Sequence, residues 1–352
     1  MAVQTLKITE NEVLKKAESP VYNFIFSKKT GFFARWGKTT KEDPLYAPSA
    51  ELADIEITTI CHGVDGKLCP FCYKSNNPNG RNMSFETFKK LFDKFPKLIC
   101  QIAFGTDSHA TSNPDLFKMM KYSRENGVIP NITVSQISEE TAVKIAEVCG
   151  ACSISRYDNK DICYDSVKLL TDRGMNQTNL HFMTSEETYD RAIETLNDIL
   201  TDKRLEKLNA IVFLSLKKKG RGKKFTCLSE EKFKKLIDFA MENNISIGFD
   251  SCSCLKFLKS VRNHPDFKNF EICSEPCESS IFSIYCNVDA KIFPCSFVEE
   301  EKNWEEGLDI LNTNDFTKDI WNHPRMTKFR KKLIDTANKN QLKCRSCPVF
   351  EI

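Results

Sequence analysis

Short apolar runs alternate with longer amphipathic segments between about residue 51 and residue 250. The runs are rich in β-branched residues, as buried strands are, and the longer segments follow the 3.6-residue period of helices. Six strand and helix units are predicted, followed by a seventh strand, and alternation of this kind is typical of a parallel sheet. The predicted strands cover residues 53–60, 98–104, 129–135, 151–155, 178–183, 210–216 and 245–250.

Serines mark where the helices between these strands begin. Ser84, Ser138, Ser185 and Ser229 are each closely followed by acidic residues and then by an apolar periodic stretch, which is the pattern of N-cap residues. The short and regular spacing favours one open barrel, so we predict an α/β fold, a partial (β/α)6 TIM barrel, over residues 51–250. In such barrels the chemistry lies on the loops that follow the strands.

The pattern changes on both sides of the predicted barrel. Residues 1–50 contain the aromatic and basic run "NFIFSKKTGFFARWG" and are expected to form a hairpin that caps the barrel. After residue 250 cysteines crowd together, and a hairpin is predicted around "NVDAK", between Ile284 and Phe293. Residues 251–352 are therefore predicted to form a second, smaller α+β domain.

The composition narrows the classes of function. The chain of 352 residues has 51 basic and 48 acidic side chains and a net charge of +3, so neither nucleic acid nor an anionic membrane is expected as its main partner. The N-terminus lacks the apolar core of a signal peptide, and no stretch approaches the ~20 apolar residues of a membrane span. We therefore expect a cytoplasmic protein. Its 16 cysteines then stand out, because reducing compartments disfavour structural disulfides.

Three cysteines follow the first predicted strand in the stretch "CHGVDGKLCPFCYK". Cys61, Cys69 and Cys72 have the spacing C-x7-C-x2-C. A closed structural zinc site needs four ligands, and His62 would have to be the fourth. Three thiolates suit instead a cubane iron-sulfur cluster in which one iron is left open to chelate a cofactor or a substrate.

This loop resembles the cluster-binding loop of the radical S-adenosylmethionine (radical SAM) superfamily. The resemblance rests on its position after the first barrel strand, on Phe71 directly before the last cysteine, and on the six βα units. The superfamily's commonest spacing is C-x3-C-x2-C, and here four extra residues widen the first gap. The resemblance implies a 4Fe-4S cluster whose open iron binds the amino and carboxylate groups of S-adenosylmethionine. One electron then cleaves the sulfonium and yields a 5'-deoxyadenosyl radical.

The same resemblance implies where S-adenosylmethionine would bind. Gly105, Thr106 and Asp107 stand at the end of the second strand, where the superfamily has a Gly-Gly-Glu motif for the methionine amine. Arg156 is suited to pair with the methionine carboxylate, and His181 is either a packed neutral histidine or a catalytic candidate. The further cofactor-binding candidates, any of which is alternatively a core side chain, are Phe71, Ser135, Ser153 and Ser155.

A second set of cysteines lies towards the C-terminus and could enclose a metal completely. Its members are Cys277, Cys295, Cys344 and Cys347. The segment "DAKIFPC" resembles the hydrophobic-Pro-Cys segment of SPASM and twitch domains, which carry auxiliary 4Fe-4S clusters in radical SAM enzymes. The number of cysteines favours one auxiliary cluster of the twitch type. Two alternatives stay open: the four thiolates hold a structural zinc ion, or one of them is replaced by Cys252, Cys254 or Cys273.

These features together predict an enzyme. A fully ligated auxiliary cluster suits electron transfer, so we expect hydrogen abstraction from a substrate and oxidation of the product radical. By the resemblance, the substrate is first a peptide or protein side chain and second a small sugar-like or nucleotide molecule, with a reductase such as flavodoxin or ferredoxin as electron donor. The roughly 50 residues before the first barrel strand leave little room for the leader-binding domain that many peptide-modifying enzymes carry. A non-catalytic zinc-binding module is the alternative from another class.

The basic stretch "LKKKGRGKKF", residues 216–225, follows the sixth predicted strand. At the active-site face it could dock a phosphorylated or nucleic-acid substrate. A solvated loop is the simpler interpretation, so nucleic acid is not expected as a partner.

Overall fold

The computed structural model describes residues 6–350, and its first element is a small antiparallel sheet whose four strands pair in chain order. The strands are β1 Lys7–Glu10, β2 Leu14–Glu18, β3 Asn23–Ser27 and β4 Phe33–Trp36. The capping hairpin expected from the sequence is therefore only part of a four-stranded sheet. The polar sequence of β1, "KITE", shows no apolar alternation, which is why the sequence did not reveal it.

A second sheet of ten strands forms the main body, in the order β11-β10-β9-β8-β7-β6-β5-β12-β13-β14. Strands β5 to β11 are parallel and correspond to the seven predicted strands, which confirms the partial barrel. The bounds are β5 Leu52–Glu56, β6 Gln101–Gly105, β7 Ile129–Val134, β8 Ala151–Ser155, β9 Thr178–Thr184, β10 Ala210–Ser215, β11 Ile247–Phe249, β12 Ser283–Cys286, β13 Lys291–Phe293 and β14 Leu308–Asp309.

Helices follow the parallel strands in turn, α1 to α6 belonging to the barrel and α7 to α9 to the C-terminal part. Ser84, Ser138 and Ser229 accept hydrogen bonds from backbone N–H groups of the first turn, as their positions predict. Ser185 begins a short 3₁₀ turn that leads into α5. The bounds are α1 Phe85–Phe92, α2 Leu116–Glu125, α3 Glu139–Val148, α4 Lys160–Thr171, α5 Tyr189–Thr201, α6 Glu230–Glu242, α7 Cys254–Ser260, α8 Phe267–Cys273 and α9 Pro324–Ala337.

The two faces of each barrel strand differ, because successive side chains of a strand point to opposite sides. Ala53 and Ile55 of β5 and Ile102 of β6 are fully buried in the hydrophobic core. The residues between them, Asp54 and Ala103, line the interior of the barrel. The hydrophobic core thus lies outside the barrel wall, and the interior is left to small and polar side chains.

The C-terminal part continues the barrel sheet. Strand β12 pairs in parallel with β5, with Tyr285 opposite Asp54, and β13 and β14 then add antiparallel strands. The hairpin predicted around "NVDAK" is confirmed as β12 and β13. The domain boundary at residue 250 stays a prediction, and one sheet contains strands from both sides of it. None of the helices within residues 6–350 combines the length and the apolar character needed to cross a bilayer.

Candidate functional site

A cavity of about 640 Å³ lies at the carboxyl ends of the barrel strands. Its lining unites residues that are up to 120 positions apart in the chain and that the sequence had singled out one by one. These are Cys61, Cys69, Phe71, Cys72, Gly105, Thr106, Asp107, Ser135, Ser153, Ser155, Arg156 and His181. His62, which a zinc site would need as its fourth ligand, is instead exposed.

The loop with the first three cysteines depends on tight turns. Gly63 has a φ of 78°, and a Cβ there would lie 2.0 Å from the carbonyl oxygen of Lys67, so only glycine fits. The backbone N–H of Gly63 donates to the Cys61 sulfur at 3.4 Å. All three thiols are half-buried, which is the exposure that a loop open to a bound cofactor requires.

Tyr157 is a site residue that the sequence did not reveal. Its ring packs against Phe71 with centroids 5.6 Å apart, and its hydroxyl forms side-chain hydrogen bonds with Cys69, Ser135 and Ser155. Burial raises the pKa of the Cys69 thiol to about 12, while hydrogen bonds from the Phe71 backbone and from Tyr157 oppose this shift. A tyrosine directly after Arg156 at the end of a barrel strand was the signal available.

The segment after β6 places its three predicted residues differently. All three residues line the cavity, but Asp107 is only 2% exposed and its carboxylate is turned into its own loop. It accepts backbone N–H bonds from Thr111 at 3.0 Å and from Ser112 at 3.1 Å. Asp107 therefore holds the shape of this loop, and the Gly105 carbonyl accepts the Ile57 N–H at 2.9 Å.

Arg156 is 3% exposed, and its guanidinium reaches towards the outer helices. It bonds the Glu194 carboxylate at 3.3 Å and the Asp158 carbonyl at 3.2 Å. Its Nε has no partner within the described residues. In this arrangement the guanidinium is engaged with Glu194, so pairing with a cofactor carboxylate requires a different rotamer.

The interior of the cavity contains two titratable groups with strongly shifted pKa values. Burial lowers the pKa of His181 to about 4, so its imidazole is neutral near pH 7. Burial raises the pKa of Asp54 to about 7. Neither group belongs to the cysteine loop, and both line the cavity.

The later cysteines come from four separate segments and approach one another in pairs. The Cys252 thiol hydrogen-bonds the Cys277 thiol. Cys252 and Cys347 both raise the pKa of the Cys295 thiol electrostatically, in addition to its burial. Cys344 is oriented elsewhere and contacts Cys254, with 3.6 Å between the two sulfurs.

The remaining candidate, Cys273, is exposed at the end of α8. Within residues 6–350, no three side chains of the ligand types converge closely enough to hold a single metal ion. The thiols thus form two groups, one of Cys252, Cys277, Cys295 and Cys347 and the other of Cys254 and Cys344.

The C-terminal part matches a known family. Residues 273–348 match the SPASM family, which is described as an iron-sulfur cluster-binding domain. This span contains all four cysteines of the predicted auxiliary set. A comparison with curated protein sequences finds no match.

Solved structures of SuiB from Streptococcus suis are similar to the chain. SuiB bound to its precursor peptide SuiA matches with a TM-score of 0.66 at 11% identity, covering 97% of this chain and 98% of that one. SuiB bound to S-adenosylmethionine matches with a TM-score of 0.57 at 13% identity, covering 85% and 74%. The likeness is therefore one of fold, and it extends over nearly the whole chain. The chain therefore shares the fold of SuiB over nearly its whole length, and its C-terminal residues match an iron-sulfur cluster-binding domain, as the later cysteines predict.

Proposed function

We propose that this protein is a radical SAM oxidoreductase that modifies a peptide or protein side chain. The observation that carries the proposal is the cavity at the carboxyl ends of the barrel strands, where three thiols and the segment after β6 share one lining. Active sites of such barrels lie at this face. When bound at Cys61, Cys69 and Cys72, a 4Fe-4S cluster supplies the electron that cleaves S-adenosylmethionine to a 5'-deoxyadenosyl radical.

The chain's own residues would bind and orient the cofactor. Gly105 and Thr106 form the part of the cavity wall where the methionine amine would bind, and Asp107 fixes the loop that follows them by accepting N–H bonds from Thr111 and Ser112. Phe71 and Tyr157 provide aromatic surface beside the cysteine loop. Ser135 and Ser155 bond the Tyr157 hydroxyl and are thereby positioned at the cavity wall.

An auxiliary 4Fe-4S cluster is proposed in the SPASM-family part of the chain. Soft thiolate donors are the ligands that iron-sulfur clusters take, and this region supplies a group of four interacting thiols and a contacting pair, Cys254 and Cys344. We assign Cys277, Cys295 and Cys347 as three ligands. The fourth is Cys344, as the spacing predicts, or Cys252, which lies against Cys277. A cluster with four protein ligands has no open iron, so its role is to accept the electron lost by the substrate radical.

A peptide substrate is favoured by the side chains of the site and by one protein of the same fold. SuiB, which shares the fold over nearly the full chain, has been solved with a precursor peptide. The cavity of the present chain has small side chains such as Ala103 and Ala151 beside the polar Asp54, Asn131 and His181. This combination suits a side chain that enters with one polar group.

The test is reductive cleavage of S-adenosylmethionine by the reconstituted protein. We expect 5'-deoxyadenosine in the presence of a strong reductant, and peptides that lose two hydrogen atoms when supplied as substrates, both measured by mass spectrometry. A protein that holds a full complement of iron yet forms no 5'-deoxyadenosine would overturn the proposal. Turnover of a sugar-like or nucleotide alcohol, with no peptide modified, would reassign the substrate and leave the radical chemistry intact.

A further inference from the structure

The basic stretch after β10 is buried on alternate residues. Lys217 and Lys219 are 5% and 7% exposed, and Arg221 is half-buried at the cavity wall. Lys218 and Lys223 between and beyond them are exposed. The stretch is thus a two-sided segment, with three cations turned into the molecule. We call Lys217, Lys219 and Arg221 the basic clasp.

One end of the clasp holds the first cysteine loop. The Arg221 side chain donates to the carbonyl oxygens of Cys69 at 2.8 Å and of Asn76 at 3.1 Å, and its backbone N–H donates to the Cys72 carbonyl at 3.0 Å. Gly220 has a φ of 53°, and a Cβ there would lie 2.3 Å from the carbonyl oxygen of Tyr73. The close approach therefore depends on glycine at this position.

The other end of the clasp holds the segment that follows Cys295. Lys219 donates to the carbonyl oxygens of Phe297, at 3.1 Å, and of Glu299. The Lys217 ammonium lies 4.6 Å from the centre of the Phe297 ring and forms an ion pair with Asp250.

Five residues of chain therefore bond both cysteine-bearing regions. The two regions also touch directly, because the Tyr73 and Phe297 rings lie 4.3 Å apart and Lys74 pairs with Glu299.

Lys217 is the member of the clasp on which the auxiliary thiols of Cys252 and Cys295 act electrostatically. Burial lowers its pKa, but Asp250 and the thiols of Cys252 and Cys295 raise it, and the net shift is upward. The side chain is therefore a permanent cation at the border between the cavity and the auxiliary set. Buried charges act strongly on one another because little water screens them. A cluster that gains an electron becomes more negative, and a nearby cation stabilises that reduced form.

We propose that the basic clasp is a positioning element that joins the two cluster-bearing loops, and that Lys217 raises the reduction potential of the auxiliary cluster. This inference rests on the proposed function, since it presumes both clusters. Because the Lys217 ammonium stabilises the reduced form of the auxiliary cluster, electron transfer from the substrate radical to that cluster is favoured. The three inward cations are engaged within the molecule, so the loop is more than a solvated segment.

The test is a redox titration of the two clusters by EPR in the full chain. We expect Lys217→Met to move the auxiliary midpoint to a more negative potential and to leave the S-adenosylmethionine-responsive signal in place. The double variant Lys217→Met with Asp250→Asn removes the whole ion pair and should shift the midpoint less. Lys218→Met, one residue away and exposed, should match the wild type.

A change at Arg221, the end of the clasp that bonds the first cysteine loop, should affect the radical cluster and not the auxiliary cluster. Arg221→Gln should reduce the occupancy of the radical cluster, seen as loss of the S-adenosylmethionine-responsive signal, and should leave the auxiliary midpoint unchanged. The proposal is overturned if Lys217→Met holds its full iron and shows the wild-type auxiliary midpoint. It is equally overturned if Lys217→Met and Arg221→Gln affect both signals alike.

If Lys217→Met loses iron, two further variants show whether the lost charge is the cause. Lys217→Arg keeps the charge and should then retain the auxiliary cluster that Lys217→Gln loses. Equal loss of iron in both variants would show that the charge is irrelevant and would overturn the inference. A wild-type protein without iron would defeat the proposed function before any variant is compared. If the wild type holds two clusters and Lys217→Met leaves both reduction potentials unchanged, the proposal for the basic clasp fails and the proposed function stands.

Discussion

The two cysteine regions of this chain are built in different ways. Cys61, Cys69 and Cys72 lie within twelve positions on one loop, half-buried at the rim of a cavity. The later thiols come from four segments, and among the assigned ligands Cys277 is 3% exposed while Cys295 and Cys347 are half-buried. Three ligands on one loop leave an iron open to a cofactor, whereas four ligands from separate segments close the cluster and leave it electron transfer. The difference in construction thus matches a difference in proposed role.

Removing a rim cysteine should have the largest effect. Cys69→Ala takes away one of only three protein ligands, so we expect 5'-deoxyadenosine formation to fall to background while the auxiliary cluster stays. Production of 5'-deoxyadenosine by mass spectrometry is the measurement. Cys273→Ala, at an exposed cysteine, is the matched control and should keep wild-type activity. Equal activity of both variants would break the distinction between the two regions.

Removing an enclosed cysteine should separate the two functions. We expect Cys277→Ala to lose about four irons, the content of one cubane, and to keep the cleavage of S-adenosylmethionine, while substrate oxidation stops. Comparing Cys252→Ala with Cys344→Ala then identifies the fourth ligand, because only the true ligand should cost the auxiliary iron. If neither variant loses iron, the assigned ligand set is wrong.

A smaller effect is expected from the hydroxyl beside Cys69. Tyr157→Phe keeps the ring against Phe71 but removes the hydrogen bond to the Cys69 thiol. One such bond is worth about 0.5–1.5 kcal/mol, so a roughly threefold to tenfold weaker cleavage activity is expected. Tyr122→Phe, which removes a surface hydroxyl bonded to Asp93, should have no effect on activity. Identical rates for both variants would place Tyr157 outside the site.

The prediction that bears least on the two cysteine regions concerns stability and Asp54 inside the barrel. Its folded-state pKa of about 7 lies above the unfolded value of about 4, so the protein loses stability as the pH rises from about 4 to about 7. Asp54→Asn removes this loss, and we expect the variant to gain about 2–3 kcal/mol on the wild type between pH 5 and pH 8. Thermal unfolding at both pH values measures it, with the exposed Asp335→Asn as control. A variant that gains nothing at pH 8 would contradict the burial of Asp54.

The barrel and the cysteine loop could be predicted from the sequence because both are local patterns. Strand β8 Ala151–Ser155 matches its predicted bounds, and the other barrel strands differ by a few residues at their ends. The pairing of β12 with β5 was out of reach, since it joins residues about 230 positions apart. Nothing local encodes such a contact.

Two features of the site were also hidden for physical reasons. Lys217, Lys219 and Arg221 stand in a run of basic residues, which as a composition is typical of solvated loops. Only the three-dimensional contacts with Phe297 and Cys69 reveal that alternate side chains are buried. Likewise, the spacing of Cys344 and Cys347 predicts a ligand pair, but the contact between Cys344 and Cys254 depends on how α7 packs.

The most direct test of the central claim is the iron and sulfide content of the anaerobically purified protein, combined with EPR of its reduced form. We expect about eight irons in the wild type. We expect about four in the Cys61→Ala, Cys69→Ala, Cys72→Ala variant, with the signal that responds to S-adenosylmethionine gone. Zinc in place of iron, or an unchanged S-adenosylmethionine response in the triple variant, would contradict it.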